Sequence, residues 1–283
     1  MVPLLDTHQH LIYREKTCYD WTKEIPVLAD NNFTIENYRV LTNNLGIAGS
    51  LFMETGVNDN DYQTETLFVK KIADNIENKI LGMISSIRPE NDLEFDDWLN
   101  KTSDMGVVGY RRILHVMPDD MSQNNNFRNN VRKIGKKDKT FDVCFLSTQL
   151  KIAYEFVKAC DNTNLILNHC GVPNIADNEF DTWRDDIKSL SNLSNLNCKL
   201  SGLMAYCAPG TSSLETIKPY VDHVLNCFGS KRIVWGSDWP VVDLGKGLPE
   251  WISVTRKILE KLSDDEAKQI ANVNAQNIYK IKI

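Results

Sequence analysis

The sequence predicts an α/β fold, a single (β/α)8 TIM barrel, on three observations. Eight short apolar runs recur along the chain, separated by segments of helical spacing, at roughly 25 to 45 residues per unit, the spacing such barrels use. The runs are nearly continuous in apolar character, as parallel strands buried on both faces must be. No Gly-x-Gly-x-x-Gly follows a run and no Gly-Lys-Ser/Thr phosphate loop is present, so the usual marks of a doubly wound open sheet are missing. At 283 residues one such domain, 1–283, accounts for the whole chain.

The first run is Leu4-Leu5-Asp6-Thr7-His8-Gln9-His10-Leu11. Side chains alternate along a strand, so His8 and His10 are expected on one face, with Asp6 sharing it one step deeper. Two converging imidazoles suit a divalent metal or a polarised carbonyl. The long connection over 11–33 carries Tyr13, Tyr19 and Trp21, and its aromatic content predicts an ordered cover for a site. A helix is expected over 34–45, with Ile35, Tyr38, Leu41 and Leu45 on one face and Gly46 ending it. The second and third runs, 47–54 and 80–87, are each followed by a helix, the first carrying Val69, Ile72, Ala73 and Ile76, the second short and near 93–99. The fourth, 107–114, leads into an Asn-rich loop and a helix; the fifth, 141–145, into a helix with Leu150, Ala153, Val157 and Cys160 at helical spacing. Runs at 165–167, 196–200 and 233–235 complete the eight, and Ser263-x-x-Glu266 is a capping box for a late helix.

A hydrophobic content of 42% with 25% charged residues is that of an ordinary soluble globular protein. A net charge of −6 argues against a nucleic-acid face or binding to an anionic membrane, and lysine pairs such as Lys70-Lys71 and Lys136-Lys137 read as solvated helix faces. No apolar run approaches a membrane span and the amino terminus lacks a signal pattern. Seven irregularly spaced cysteines without a Cys-x-x-Cys pair read as reduced thiols, which places the expected protein in the cytoplasm.

A barrel places functional side chains at the carboxyl ends of its strands. His8 and His10 end the first strand, Arg111, Arg112 and His115 the fourth, His169 the sixth and Asp238 the eighth, so four of the five histidines fall at such ends. The bland readings are a satisfied core histidine for His169 and a helix cap for Asp238. The concentration of histidines favours chemistry over both. Strand parity favours Arg111 over Arg112, since Arg111 shares a face with His115. Glu54, ending the second strand, reads as a ligand or polar wall. Lys199 and Ser201 share a face, with strand-end packing and turn hydrogen bonds an equal alternative. Trp21 and Trp239 suit a pocket roof. His223 lies mid-helix and stays outside the site.

Five stretches carry a resemblance: Asp6-Thr7-His8-Gln9-His10, Gly109 to His115, Asn168-His169-Cys170-Gly171, Lys199-Leu200-Ser201-Gly202-Leu203 and Trp235-Gly236-Ser237-Asp238-Trp239-Pro240. Together they resemble the amidohydrolase superfamily, and within it the lactonase branch that includes L-fuconolactonase, L-rhamnonolactonase and 2-pyrone-4,6-dicarboxylate lactonase. The resemblance implies a TIM-barrel hydrolase with pocket roles for His8, His10, His169 and Asp238 and a substrate contact from the fourth-strand arginine. Strand four lacks the bridging lysine or glutamate of two-metal relatives, so at most one ion is expected, and the branch includes members that work without metal. The expected reaction is hydrolysis of a small aldono-1,4- or 1,5-lactone. Asp238 would be general base and His169 a catalytic partner. His8, His10 and Asp238 would hold one divalent ion, zinc by expectation, and Arg111, His115, Trp239 and Trp21 would contact substrate. The alternatives are a metal-dependent decarboxylase, a pyrone-dicarboxylate lactonase, and a barrel that only binds a sugar acid or partner protein. The expected partner is a small-molecule lactone, with no nucleic acid and no membrane; the sequence does not give the oligomeric state.

Overall fold

Each apolar run becomes a strand because both of its faces are covered, one by the helical layer and one by the barrel interior. The computed structural model describes residues 2–283. Its strands are β1 (Leu4–Gln9), β2 (Ile47–Met53), β3 (Ile80–Ser86), β4 (Val107–Ile113), β5 (Thr140–Cys144), β6 (Leu165–Leu167), β7 (Leu196–Leu200) and β8 (Ile233–Trp235). They form one sheet in sequence order with parallel pairing throughout. The ends meet just past β8, where Asp238 N–H donates to His8 O and His10 N–H to Trp239 O, both at 2.8 Å. The eight-stranded barrel expected from the sequence is the fold observed.

Helices α1 (Ile35–Thr42), α2 (Tyr62–Ala73), α3 (Asp92–Ser103), α4 (Asn125–Lys136), α5 (Leu150–Ala159), α6 (Phe180–Ser191), α7 (Leu214–Phe228) and α8 (Gly247–Leu259) fill the connections. Thr34 and Asn37 cap α1 reciprocally, worth about 1 kcal/mol. The helix stops at Thr42, short of the expected Gly46. Thr42-Asn43-Asn44 are weak helix formers whose side chains compete for backbone bonds, and Asn44 already turns left-handed at φ 63°. The connection over 11–33 is ordered, as its aromatics predicted. Ile12 and Phe33 exchange backbone hydrogen bonds, and Leu28 and Tyr19 are buried.

The Ser263 capping box starts α9 (Asp264–Lys268), which a π turn joins to α10 (Asn274–Tyr279). Asn272 donates to Pro3 O, and Asn274 to the carbonyls of Ser230 and Ile233, tying this segment to the amino ends of β1 and β8. From there Ala275, Tyr279 and Ile281 pack against the inward residues Leu5, Leu51, Met53, Ile84, Ile166 and Val234. Each large aliphatic side chain buried there stabilises by about 1.5–3 kcal/mol. This plug closes the amino end of the barrel, leaving the carboxyl end for chemistry.

Candidate active site

Asp238 stands among three imidazoles at the carboxyl end. Its Oδ1 lies 3.6 Å from His8 Nε2 and 3.5 Å from His10 Nε2, and its Oδ2 lies 3.8 Å from His169 Nδ1. The His8 ring centroid is 4.8 Å from that of His10 and 4.5 Å from that of His169. All four residues are buried. The structure therefore brings together four of the seven residues that the strand ends single out.

The glycines of the motifs explain how so many side chains fit. A Cβ on Gly236 would come 2.7 Å from His8 Cβ, and one on Gly202 would come 2.7 Å from His169 Nδ1. Only a residue without a side chain allows either imidazole its place. Asp238 and His169 adopt left-handed backbone, φ 60° and 52°, as do Cys170 and Val172. Such conformations cost non-glycine residues roughly 1–3 kcal/mol and cluster at functional sites. Neighbouring bonds hold the turn after β8: Ser237 Oγ donates to His8 O, and Trp251 Nε1 to Gly236 O.

Asp6 corrects the reading of the first strand. Strict alternation put it on the face of His8 and His10, but the pairing of β1 with β2 shifts register between Asp6 and Gln9. An irregularity of this kind breaks the period of two. Asp6 instead accepts the Tyr38 hydroxyl of α1 at 2.6 Å and the N–H groups of His8 and Ser237 at 3.0 and 2.7 Å. It braces the two strand ends from outside the pocket.

The tautomers follow from the partners. His10 Nδ1 lies 3.0 Å from Met53 O, an acceptor, so Nδ1 carries the proton and Nε2 keeps its lone pair. His8 Nε2 lies 3.3 Å from Arg111 Nη1, always a donor, so Nε2 accepts and the proton sits on Nδ1, which has no partner among the described residues. Burial, then the charges of His169, Lys199, His10 and Arg111, hold His8 well below the usual histidine pKa. Burial also brings His169 down to about 4 against the pull of Asp238. Both imidazoles are neutral at pH 7, and neutral imidazoles still offer one N–H each.

Behind them runs a polar network. Arg111 donates from Nε to Glu54 Oε1 and from Nη2 to Glu54 O, both at 2.6 Å, and from Nη1 to Asn168 Oδ1 at 3.3 Å. Asn168 Nδ2 donates to Asp142 Oδ1, which also takes a 2.6 Å bond from Lys199 Nζ; Lys199 reaches Thr7 O as well. Glu54, expected as a ligand or a polar wall, is the partner of Arg111, and Lys199 is an interior ion-pair partner. Asn168, Asp142 and the buried Glu65 were not foreseen.

The remaining expected residues separate. His115 sits half-buried beyond β4 with Nδ1 3.2 Å from Cys144 Sγ, and burial followed by the Arg111 charge lowers its pKa to about 4. Trp21 is 39% exposed and donates from Nε1 to Thr55 O, which sets it over the turn after β2. Trp239 is not a roof: its buried ring packs on Phe33 and Tyr38, at centroid distances of 5.5 and 5.4 Å. Once His10 N–H takes Trp239 O, the side chain is committed to the wall beside α1. Arg112 pairs with Asp59 and Glu90, and His223 bonds to Arg184 O on the outer layer, so neither joins the site. A cavity of about 870 Å³ beside α1 and β2 contains none of the site residues.

The ligand atoms of His8, His10 and Asp238 lie within 4.8 Å of one another, close enough to hold a divalent ion. Among the described residues Asp238 Oδ2 is buried without a hydrogen-bond partner, and His10 Nε2 has a free lone pair, so both fit a cation. His8 Nε2, the third of these ligand atoms, faces Arg111 Nη1 at 3.3 Å.

Comparison with known proteins agrees with this geometry. The amidohydrolase family profile matches residues 6–281. An L-fucono-1,5-lactonase of Burkholderia multivorans is 23% identical over 97% of this chain and 95% of its own length. A solved amidohydrolase structure from Burkholderia multivorans with bound zinc superposes with a TM-score of 0.89 at 23% identity, covering 99% of this chain and 100% of that one. A probable 2-pyrone-4,6-dicarboxylic acid hydrolase of Acinetobacter baumannii, solved with citric acid bound, gives 0.79 at 15% identity, over 99% and 100% of the two chains. With a barrel, its carboxyl-end histidines and an aspartate at the end of β8 all in place, the chain belongs to the amidohydrolase family.

Proposed function

We propose that this chain is a lactonase that opens a small neutral aldono-1,4- or 1,5-lactone, with Asp238 as general base. The observation that carries the reading is Asp238 Oδ2: a buried carboxylate oxygen without a partner, 3.8 Å from His169 Nδ1 and flanked by imidazoles that burial keeps neutral. An unpaired buried acceptor costs free energy in the resting protein, and a water or substrate proton is what relieves it.

In the reaction, Asp238 Oδ2 takes a proton as water attacks the lactone carbonyl. The same proton then goes to the ring oxygen as the C–O bond breaks, giving the open hydroxy acid. An ordinary carboxylate near pKa 4 faces bulk water near 15.7, a gap of about 12 units or about 16 kcal/mol, so full deprotonation of an unactivated water before attack is excluded. Transfer concerted with attack, plus stabilisation of the developing oxyanion by N–H donors, closes that gap for an electrophilic carbonyl. His8, His10 and Asp238 would hold one divalent ion, zinc, which when bound supplies Lewis acidity and acidifies a water.

Charge selects the substrate class. Glu54 with Arg111 and Asp142 with Lys199 form two neutral pairs, which leaves Asp238 as the net charge at the centre. With Arg111 and Lys199 both committed to these pairs, neither is left to meet the second carboxylate of a dicarboxylate, so a neutral hydroxylated ring suits the site better. His115 and Trp21 at the mouth would contact the ring hydroxyls and the apolar face, and Arg111 would act on substrate through His8. The resemblance to proteins named L-fucono-1,5-lactonase supports the same class. Seven free cysteines fit a reducing cytoplasm.

The test is proton release from a panel of aldonolactones, a pyrone dicarboxylate and an aryl phosphoester, with carbon dioxide monitored alongside. Lactone turnover that falls at least ~1,000-fold in a folded Asp238→Asn variant supports the assignment. Near-native turnover by that variant, phosphoesters as best substrates, or carbon dioxide as product would overturn it.

A further inference from the structure

Tyr206 ends a short helical turn, Leu203–Tyr206, that follows β7. Its neighbours Leu203 and Met204 are buried, and Ser212 Oγ donates to Met204 O, so the turn is held firmly. The phenol ring meets His169 edge-on, at a centroid distance of 6.0 Å and an interplanar angle of 82°. His169 in turn lies 3.8 Å from Asp238 Oδ2, so the phenol is packed against the imidazole next to the carboxylate. Among the described residues nothing hydrogen-bonds that hydroxyl.

Apart from the His8 Nδ1–H, which is without a partner among the described residues, the donors of the site are largely committed. Arg111 spends its N–H groups on Glu54, Asn168 and His8. His10 spends its N–H on Met53 O, and His169 Nδ1 lies 2.9 Å from Ser201 Oγ. A carbonyl oxygen gaining negative charge beside Asp238 needs donors that are not already used.

Resting on the lactonase reading, we propose that Tyr206 is a substrate-contacting residue whose phenol O–H donates to the lactone carbonyl oxygen as it becomes an oxyanion. No bond to Tyr206 is made and its proton is not transferred. Burial, and then the charge of Asp238, hold the phenol well above its ordinary pKa, so it stays a neutral donor across the working range.

The test uses the full chain and its Tyr206→Phe variant, which keeps the ring against His169. Two readouts are taken: kcat and KM on L-fucono-1,5-lactone and pentonolactones, and calorimetric binding of L-fucono-1,5-lactam, an uncleaved neutral analogue. The expected result is a drop of about 100-fold in kcat with a smaller change in KM. Lactam binding should weaken, and the melting temperature should stay that of the parent. Parent-like kcat and lactam binding in Tyr206→Phe overturn the proposal, as does a loss of rate that comes only with a lowered melting temperature. A parent protein that neither turns over nor binds these compounds overturns the lactonase reading itself, and that failure is visible without the variant.

Discussion

Arg111 grips Glu54 twice, Nε on the carboxylate and Nη2 on the main-chain carbonyl, each at 2.6 Å, with both side chains at most 3% exposed. The same guanidinium reaches His8 Nε2, so the pair at the ends of β2 and β4 orients an imidazole on β1. Burial pushes the Glu54 carboxyl up, but the Arg111 charge outweighs it and holds the pKa below the usual range.

Arg111→Met should therefore strand a buried carboxylate and destabilise by about 3–5 kcal/mol at neutral pH. The loss should shrink as pH falls, because Glu54 without its partner can take up a proton. Urea unfolding of parent and variant at pH 5 and pH 8 checks this, with lactone turnover measured on the folded fraction. Equal destabilisation at both pH values, or unchanged turnover, would contradict the role given to the pair.

Gly202 and Gly210 separate a backbone effect from a contact. Both have positive φ, 74° and 78°, but an added Cβ meets His169 Nδ1 at 2.7 Å in the first and nothing within 4 Å in the second. Alanine at either should cost roughly 1–2 kcal/mol of backbone strain. Only Gly202→Ala should displace His169, lowering kcat at least ~10-fold while Gly210→Ala stays near the parent rate. Similar kcat values for the two variants would remove His169 from the chemistry.

What could be read from the sequence was what local pattern encodes. Strand positions came out within a residue or two because parallel barrel strands need continuous apolar runs. His8, His10, His169 and Asp238 were visible because a polar residue ending such a run stands out. The interior network was hidden. Arg111 and Glu54 lie 57 residues apart, as do Lys199 and Asp142, and none of the four by itself points to its partner. Asp6 was misplaced because a register shift leaves no mark in composition. Tyr206 lies in a loop without periodicity, and Trp239 sits beside Asp238 in sequence although its ring belongs to the wall.

Glu65 of α2 gives a pH signature of stability. Its Oε1 accepts the Thr55 N–H and its Oε2 has no partner among the described residues. Burial, and then the Glu54 charge, raise its pKa to about 8. Between the ordinary carboxyl range near 4.5 and 8, the folded protein binds a proton that the unfolded chain does not. The stability this group contributes is thus present at low pH and lost as pH rises toward 8. Glu65→Gln keeps the acceptor for Thr55 and removes the ionisation. The variant should melt at a higher temperature than the parent above pH 8 and show a flatter decline between about pH 4.5 and 8. A variant that loses stability in parallel with the parent would show that Glu65 is not the titrating group.

The last prediction concerns metal stoichiometry. A second ion needs a bridging anion on β4, and β4 presents Arg111, a cation already bonded to Glu54 and Asn168. That leaves His8, His10 and Asp238 as one group, with His8 Nε2 facing the Arg111 guanidinium at 3.3 Å. A positive charge so near competes with a dication for the same lone pair. After zinc loading and desalting, elemental analysis should therefore find no more than one equivalent per chain. His10→Ala should release it, since His10 Nε2 is the lone pair that Met53 leaves free. Arg111→Met, which frees His8 Nε2 and removes the competing charge, should bind zinc roughly 10-fold more tightly in a chelator competition. Two equivalents retained at full activity, or weaker zinc binding in Arg111→Met, would show that the arginine supports the ion instead of opposing it.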